Sequence, residues 1–242
     1  MPELPEATTI SLQLKKYLNI PSQNLFLKKI IIHKGSIIKN PDLKFQLLNR
    51  KLEEVSNYGK IVYFKFTDNY WILFHLALTG AILIKDFLSL EKLEYFEKYK
   101  IIEFIFESSL NNLDNNNNSN NNGLIESKHI LFCAKRLFEK VIFIQDENPF
   151  KKYGIPFNKL KNIDFIRILS KSKKPIKEAL MDQNLIVGIG NIYAIESLFC
   201  AGISPFRLAS NLTVQEYYKL YNCIKEILKE SILNRGSSVR CV

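Results

Sequence analysis

No Cys-x-x-Cys pair occurs in this sequence, and its four cysteines, Cys133, Cys200, Cys223 and Cys241, stand far apart. A zinc knuckle and a redox motif of that type are therefore excluded. The three histidines, His33, His75 and His129, do not cluster with the cysteines. Thiols scattered in this way are expected to be reduced, in an intracellular protein. The N-terminus, Met1-Pro2-Glu3-Leu4-Pro5-Glu6, has neither a basic region nor an apolar stretch. It does not read as a secretory signal. No segment approaches the roughly 20 apolar residues of a membrane span. The longest apolar runs, such as 30–32 and 101–106, are short and rich in β-branched or aromatic residues, which suits strands.

What is present points to a folded protein. Of 242 residues, 47% are hydrophobic and 24% charged, which excludes wholesale disorder, collagen and a small disulfide scaffold. The length is comfortable for two domains. Thirty-four Lys and Arg against 24 Asp and Glu give a net charge of +10, so a polyanionic partner is a reasonable expectation. A basic protein from a lysine-rich proteome, with no such partner, fits the charge equally well.

The chain changes texture along its length. Residues 3–18 read as a helix, with Ile10, Leu14, Tyr17 and Leu18 on one face and Pro5 in the tolerated first turn. Short β-rich runs follow at 26–33, 51–56, 61–67, 70–76, 80–84 and 101–107, with a short helix expected at 43–49. Turn residues separate the runs, the pattern of a sandwich or barrel. Residues 111–122 form an asparagine-dominated tract, expected to be a disordered loop inserted in a hairpin whose sheet resumes at 130–132 and 141–144. Beyond a Pro- and Gly-marked stretch the period becomes helical, at 165–169, 176–181, 193–201 and 214–233. The expected fold is α+β: a β-sandwich with a leading helix over 1–146, a linker at 147–162 and a helical domain over 163–242.

Two segments carry chemistry. A proline at position 2 becomes a free secondary amine once Met1 is removed, and secondary amines condense with aldehydes to iminium ions. A helix N-terminus beside it favours the neutral, nucleophilic form. Glu3 and Glu6 stand close enough in sequence to move a proton. The same residues also simply start a helix well. The second segment runs from Lys173-Lys174-Pro175-Ile176-Lys177 through Gly188-Ile189-Gly190-Asn191-Ile192-Tyr193. It reads as helix, tight turn, helix. Glycines there let backbone N–H groups approach a phosphate, and Asn191 can cap the second helix or bond a phosphate oxygen. Two glycines in such a turn can equally mean close packing alone.

Taken together, Met1-Pro2-Glu3-Leu4-Pro5-Glu6, Leu180-Met181-Asp182-Gln183, Gly188-Ile189-Gly190-Asn191-Ile192-Tyr193 and Glu196-Ser197-Leu198 closely resemble the formamidopyrimidine-DNA glycosylase family, with its endonuclease VIII-like branch. The second segment then matches that family's helix–two-turn–helix motif. The resemblance implies a base-excision repair enzyme that removes oxidised bases and cleaves the strand as an abasic-site lyase. Pro2 resembles the nucleophile that forms a Schiff base at C1′, and Glu3 the acid that assists sugar-ring opening. Lys60, in Asn57-Tyr58-Gly59-Lys60-Ile61, matches a lysine contacting phosphate beside the lesion; on spacing alone it is also an ordinary turn lysine. Lys177 and Asn191 match phosphate contacts, and Glu6 and Glu196 match structural carboxylates near the site. Leu78 stands in the place of an intercalating methionine, and Arg136 and Phe138 resemble an arginine–phenylalanine wedge that also contacts DNA. The alternative for Leu78 and Phe138 is a place in the sheet core. The implied partner is double-stranded DNA with oxidised or abasic lesions, met by an intracellular monomer.

The family usually carries a four-cysteine zinc finger after the position of Gly236-Ser237-Ser238, with an arginine that enters the DNA. No such cysteine set is found here, so no cofactor is expected. Two other readings stay open. One is a degenerate, non-catalytic binder of damaged or abasic DNA. The other is RNA or ribosome binding through the two-helix motif.

Overall fold

The computed structural model describes residues 2–20, 22–108 and 127–235. The asparagine tract, Gly236-Ser237-Ser238 and Cys241 lie outside them. Helix α1 (Leu4–Tyr17) leads, followed by β1 (Leu25–Ile32) and the two-residue β2 (Ile38–Lys39). A 3-10 turn at Pro41–Leu43 opens α2 (Lys44–Leu47). Next come β3 (Leu52–Tyr58), β4 (Ile61–Phe66), β5 (Tyr70–His75) and β6 (Ala81–Ile84). Helix α3 (Leu90–Glu97) precedes β7 (Lys100–Ser108), β8 (Ser127–Cys133) and β9 (Lys140–Gln145). The helical part holds β10 (Ile155–Pro156), α4 (Asn162–Leu169), α5 (Ile176–Met181), β11 (Ile186–Val187), α6 (Asn191–Ala201) and α7 (Val214–Leu233). None of the described helices is long and apolar enough to cross a membrane.

The strands form a sandwich. One sheet has the order β1-β7-β8-β6, the other β2-β9-β5-β4-β3. Alternation sends Phe64 and Phe74 from one sheet and Phe104, Phe106 and Phe132 from the other into a shared core. Their rings meet edge-on, at 5.1 Å for Phe64–Phe74 and 5.7 Å for Phe74–Phe104. The β4 and β5 side chains that point the other way are also covered. Tyr63, Trp71 and Phe150 pack there, and Tyr58 stacks on Phe150 at 4.3 Å.

Residues 147–162 are more than a tether. Phe150 joins the outer aromatic cluster, while Phe157 and Leu160 join the helical core. Ile155 and Pro156 pair in parallel with Ile186 and Val187, which pins this stretch to the turn after α5. Helix α1 spans both cores: Ile10 and Leu14 pack in the sandwich, and Leu4 packs with the helices.

One expectation is overturned here. Cys200 and Cys223 are joined in a disulfide, with Cα atoms 6.0 Å apart, rather than held as reduced thiols. Packing of α6 against α7 brings two residues 23 positions apart to bridging distance. Cys133 is free and buried in the sheet.

Candidate active site

The site is built around the start of α1. Glu3 is only 2% exposed and precedes the first helical turn. Its backbone N–H donates to Glu6 Oε2 at 2.8 Å, which ties the two carboxylates into one local frame. Glu6 Oε1 accepts from the Tyr193 hydroxyl at 2.7 Å, and the Tyr193 hydroxyl oxygen itself lies 2.6 Å from Ser231 Oγ on α7. Glu6 thus links α1, α6 and α7.

The Glu3 carboxylate reaches the other half of the chain. Oε2 accepts from Gly190 N–H at 2.6 Å and Oε1 from Ile192 N–H at 3.2 Å, so it caps α6 from outside. Asn191 was expected as a possible cap. The residue in the cap position is Gly190, and Asn191 is exposed in the first turn of α6, because Glu3 already satisfies the amides on either side of it. Only glycine fits at 190: a Cβ there would lie 2.4 Å from Glu3 Cδ. Gly188, at φ +111°, lets Leu4 approach equally closely. Gln183 holds the turn in this shape, accepting from Gly188 N–H at 3.0 Å and donating to the Ile189 carbonyl at 2.9 Å.

The β3–β4 hairpin brings in Lys60. Its turn glycine, Gly59, has φ +58° and sits against Val187, where a Cβ would be 2.2 Å from Cγ1. Lys60 is therefore half-buried beside the site and not an ordinary exposed turn lysine. Burial pushes the Glu3 carboxyl above the usual range, while the Lys60 charge and the Gly190 and Ile192 amides pull it back. Burial lowers the Lys60 ammonium, with Glu3 and Glu6 opposing.

A cavity of about 270 Å³ opens at this junction, and Pro2, Lys60, His75, Phe138, Lys140 and Tyr153 are among the residues that line it. His75 was not singled out as a site residue. Its Nε2 is buried with no hydrogen-bond partner among the described residues. Burial, then the charges of Lys140 and Lys152, push its pKa down to about 4, so the ring is neutral at pH 7. Sequence held one hint, its place at the end of a strand before a glycine-containing turn. Its significance lies in spatial neighbours that spacing does not reveal.

Of the remaining candidates, only Phe138 lines this cavity. Leu78 and Phe138 are 55% and 69% exposed on the β5–β6 and β8–β9 loops, which removes the sheet-core alternative. Arg136 is exposed on the second of these loops. Lys177 is half-buried in the first turn of α5. Lys174 is engaged by Asp182 at 2.6 Å. Glu196 lies exposed on α6 with no hydrogen bond or ion pair among the described residues, so the structural role expected for it has no support in the fold. Nor do the described residues fit a zinc site. No three His, Cys, Asp or Glu side chains among them stand together, and Cys200 and Cys223 are bound to each other.

Comparison with known proteins gives a consistent result. The formamidopyrimidine-DNA glycosylase N-terminal domain family matches residues 1–118, and the formamidopyrimidine-DNA glycosylase H2TH domain family matches 156–242. A formamidopyrimidine-DNA glycosylase of Ureaplasma parvum is 33% identical over 247 residues, spanning 99% of this chain and 81% of that protein. One from a Wolbachia of Drosophila simulans is also 33% identical, with the same coverage of both chains. Among solved structures, Lactococcus lactis formamidopyrimidine-DNA glycosylase bound non-covalently to abasic-site DNA superposes with a TM-score of 0.76 at 24% identity, covering 98% of this chain and 83% of that one. The MutM (Fpg) protein of Thermus thermophilus gives 0.74 at 24% identity, covering 98% and 79%.

Proposed function

The chain belongs to the formamidopyrimidine-DNA glycosylase family, and from that premise we propose that it is a base-excision repair glycosylase that removes oxidised bases from double-stranded DNA and cleaves the resulting abasic site. The observation that carries this reading is the placement of Pro2 in the cavity beside Lys60, with its neighbour Glu3 buried and held by the Gly190 and Ile192 amides.

The chemistry follows from those residues. With Met1 removed, the Pro2 nitrogen attacks C1′ of an extruded nucleotide, and the C1′–base bond breaks with its electron pair leaving on the base. Glu3, whose pKa is raised by burial, gives a proton to the sugar-ring oxygen as the ring opens and the iminium forms. Loss of a proton from C2′ then expels the 3′ phosphate, a β-elimination, and a further elimination at the 5′ side completes strand cleavage. Lys60 supplies positive charge beside the sugar-phosphate, and the neutral His75 supplies a hydrogen-bonding nitrogen in the same cavity. Lys177 and Asn191 are assigned to flanking phosphates, and Leu78, Arg136 and Phe138 to the gap left in the base stack.

Borohydride reduction tests the reading, because it converts an iminium into a stable protein–DNA bond. Protein lacking Met1 should be trapped on abasic duplex DNA, and Pro2→Gly should cut the yield at least roughly a hundredfold. Binding of abasic DNA without any trapped product would instead establish a non-catalytic damage binder.

A further inference from the structure

The two exposed loops at the cavity mouth are joined by a buried polar tie. Glu139, at the end of the β8–β9 loop, is 1% exposed. Its Oε1 accepts from the backbone N–H of Thr79 at 2.9 Å and from the Thr79 hydroxyl at 2.6 Å. The Thr79 oxygen in turn accepts from Lys135 N–H at 3.3 Å and Arg136 N–H at 3.2 Å. One carboxylate oxygen and one hydroxyl therefore stitch the β5–β6 loop to both ends of the β8–β9 loop. The fit is close. A Cβ on Gly80 would stand 2.8 Å from Glu139 Cγ and 2.6 Å from the Leu76 carbonyl oxygen.

Stability alone accounts poorly for this arrangement. Glu139 Oε2 is buried with no hydrogen-bond partner among the described residues. A carboxylate with one oxygen unsatisfied is costly, and apolar packing would join two loops at lower cost. What the tie does is fix positions. Both loops carry a residue at positive φ, Ala77 at 43° and Leu137 at 59°, and both present apolar tips to solvent. The bond to Arg136 N–H holds the backbone from which that side chain leaves.

We infer that Thr79 and Glu139 form a latch that locks Leu78, Arg136 and Phe138 into one rigid wedge, making both of them positioning residues for nucleotide extrusion. The inference rests on the glycosylase reading above. A wedge on two independent loops would yield when the stack closes against it; two loops tied through the buried Glu139 carboxylate and the Thr79 hydroxyl move together.

Two substrates separate positioning from folding: an abasic site in a paired duplex, which needs a stack held open, and the same abasic nucleotide in a single strand, which does not. Single-turnover cleavage is measured on both for Glu139→Ala, Thr79→Val, Glu139→Gln and Thr79→Ser. Glu139→Ala and Thr79→Val should lower the duplex-to-single-strand rate ratio roughly tenfold or more. Glu139→Gln and Thr79→Ser should restore the wild-type ratio, since a Gln oxygen still accepts both bonds and Ser keeps the hydroxyl. Thr79→Val decides the matter should Glu139→Ala not fold. A 2-aminopurine opposite the lesion reads opening of the stack by its emission, without any chemistry, and should be dimmed in Glu139→Ala and Thr79→Val complexes. Equal rate losses on both substrates, with unchanged emission, overturn the latch alone. Wild-type protein inert on both substrates overturns the glycosylase reading, and the emission comparison then still decides the latch.

Discussion

Protonating His75 would place a charge in a cavity that Lys140 and Lys152 already make positive. Its folded pKa of about 4, against the ordinary 6.5, fixes the sign of a stability effect. Between those values the unfolded chain binds a proton that the folded chain refuses, so stability falls as pH drops through this window. The full effect is about 3 kcal/mol. Urea titrations from pH 7 to pH 4 should show that loss, and His75→Gln should remove it while leaving stability at pH 7 little changed. At this scale the sequence was informative where the chemistry sits in a contiguous motif. Pro2 and Glu3 drew notice only through the joint resemblance of contiguous motifs near both ends of the chain, since by themselves they also simply start a helix well. His75 and Glu139 were not, because what distinguishes them is an unpartnered buried atom. Which neighbours a side chain meets is set by strands far apart in the sequence.

Helix boundaries were legible to the extent that helices bury a stripe. The expected spans 176–181 and 214–233 match α5 and α7 at both ends. Helix α7 also carries its own start signal, since Thr213 and Glu216 cap each other reciprocally. Arg207 and the Thr213 amide hold the Glu216 carboxyl down at about 2, so this cap stays charged across the working range. Helix α3 buries no residue fully; Leu93 and Phe96 are only partly buried, against a small cluster that includes Leu83 and Leu88. Strands β2, β10 and β11 are two residues each, too short for alternation to register. The Cys200–Cys223 bond was equally invisible, because sequence spacing says nothing about which faces of α6 and α7 meet. Closing a loop of 23 residues removes enough unfolded-chain entropy to contribute about 3 kcal/mol. Thermal melts should therefore shift down when reductant is added. Cys223→Ser should melt at the lower temperature and ignore reductant.

The net charge of +10 belongs to the molecule as a whole, and so does its consequence for binding. Four cationic contacts to phosphate would release enough counterions to weaken binding about a hundredfold between 50 and 200 mM salt. Fluorescence anisotropy with abasic duplex across that range measures the slope; a flat response would remove DNA phosphates as the partner. The sandwich and the helical region were both readable from the change of hydrophobic period along the chain. How they join was not, since Leu4 leaves its own helix's core to pack among α4 to α7, and no periodicity marks such a crossing. The bond from Glu3 to Gly190 spans 187 positions. On a translating ribosome, Pro2 and Glu3 emerge roughly 10–40 s before the amides that hold Glu3 have been made. All the strands of the sandwich are synthesised within that interval. The proposed amine nucleophile thus waits on a nascent chain without the Glu3 carboxylate held in place, and a message cut short before residue 190 yields sandwich strands with no completed site. Under the proposed function, competence to cut DNA is in this way withheld until the helical half has been synthesised and docked.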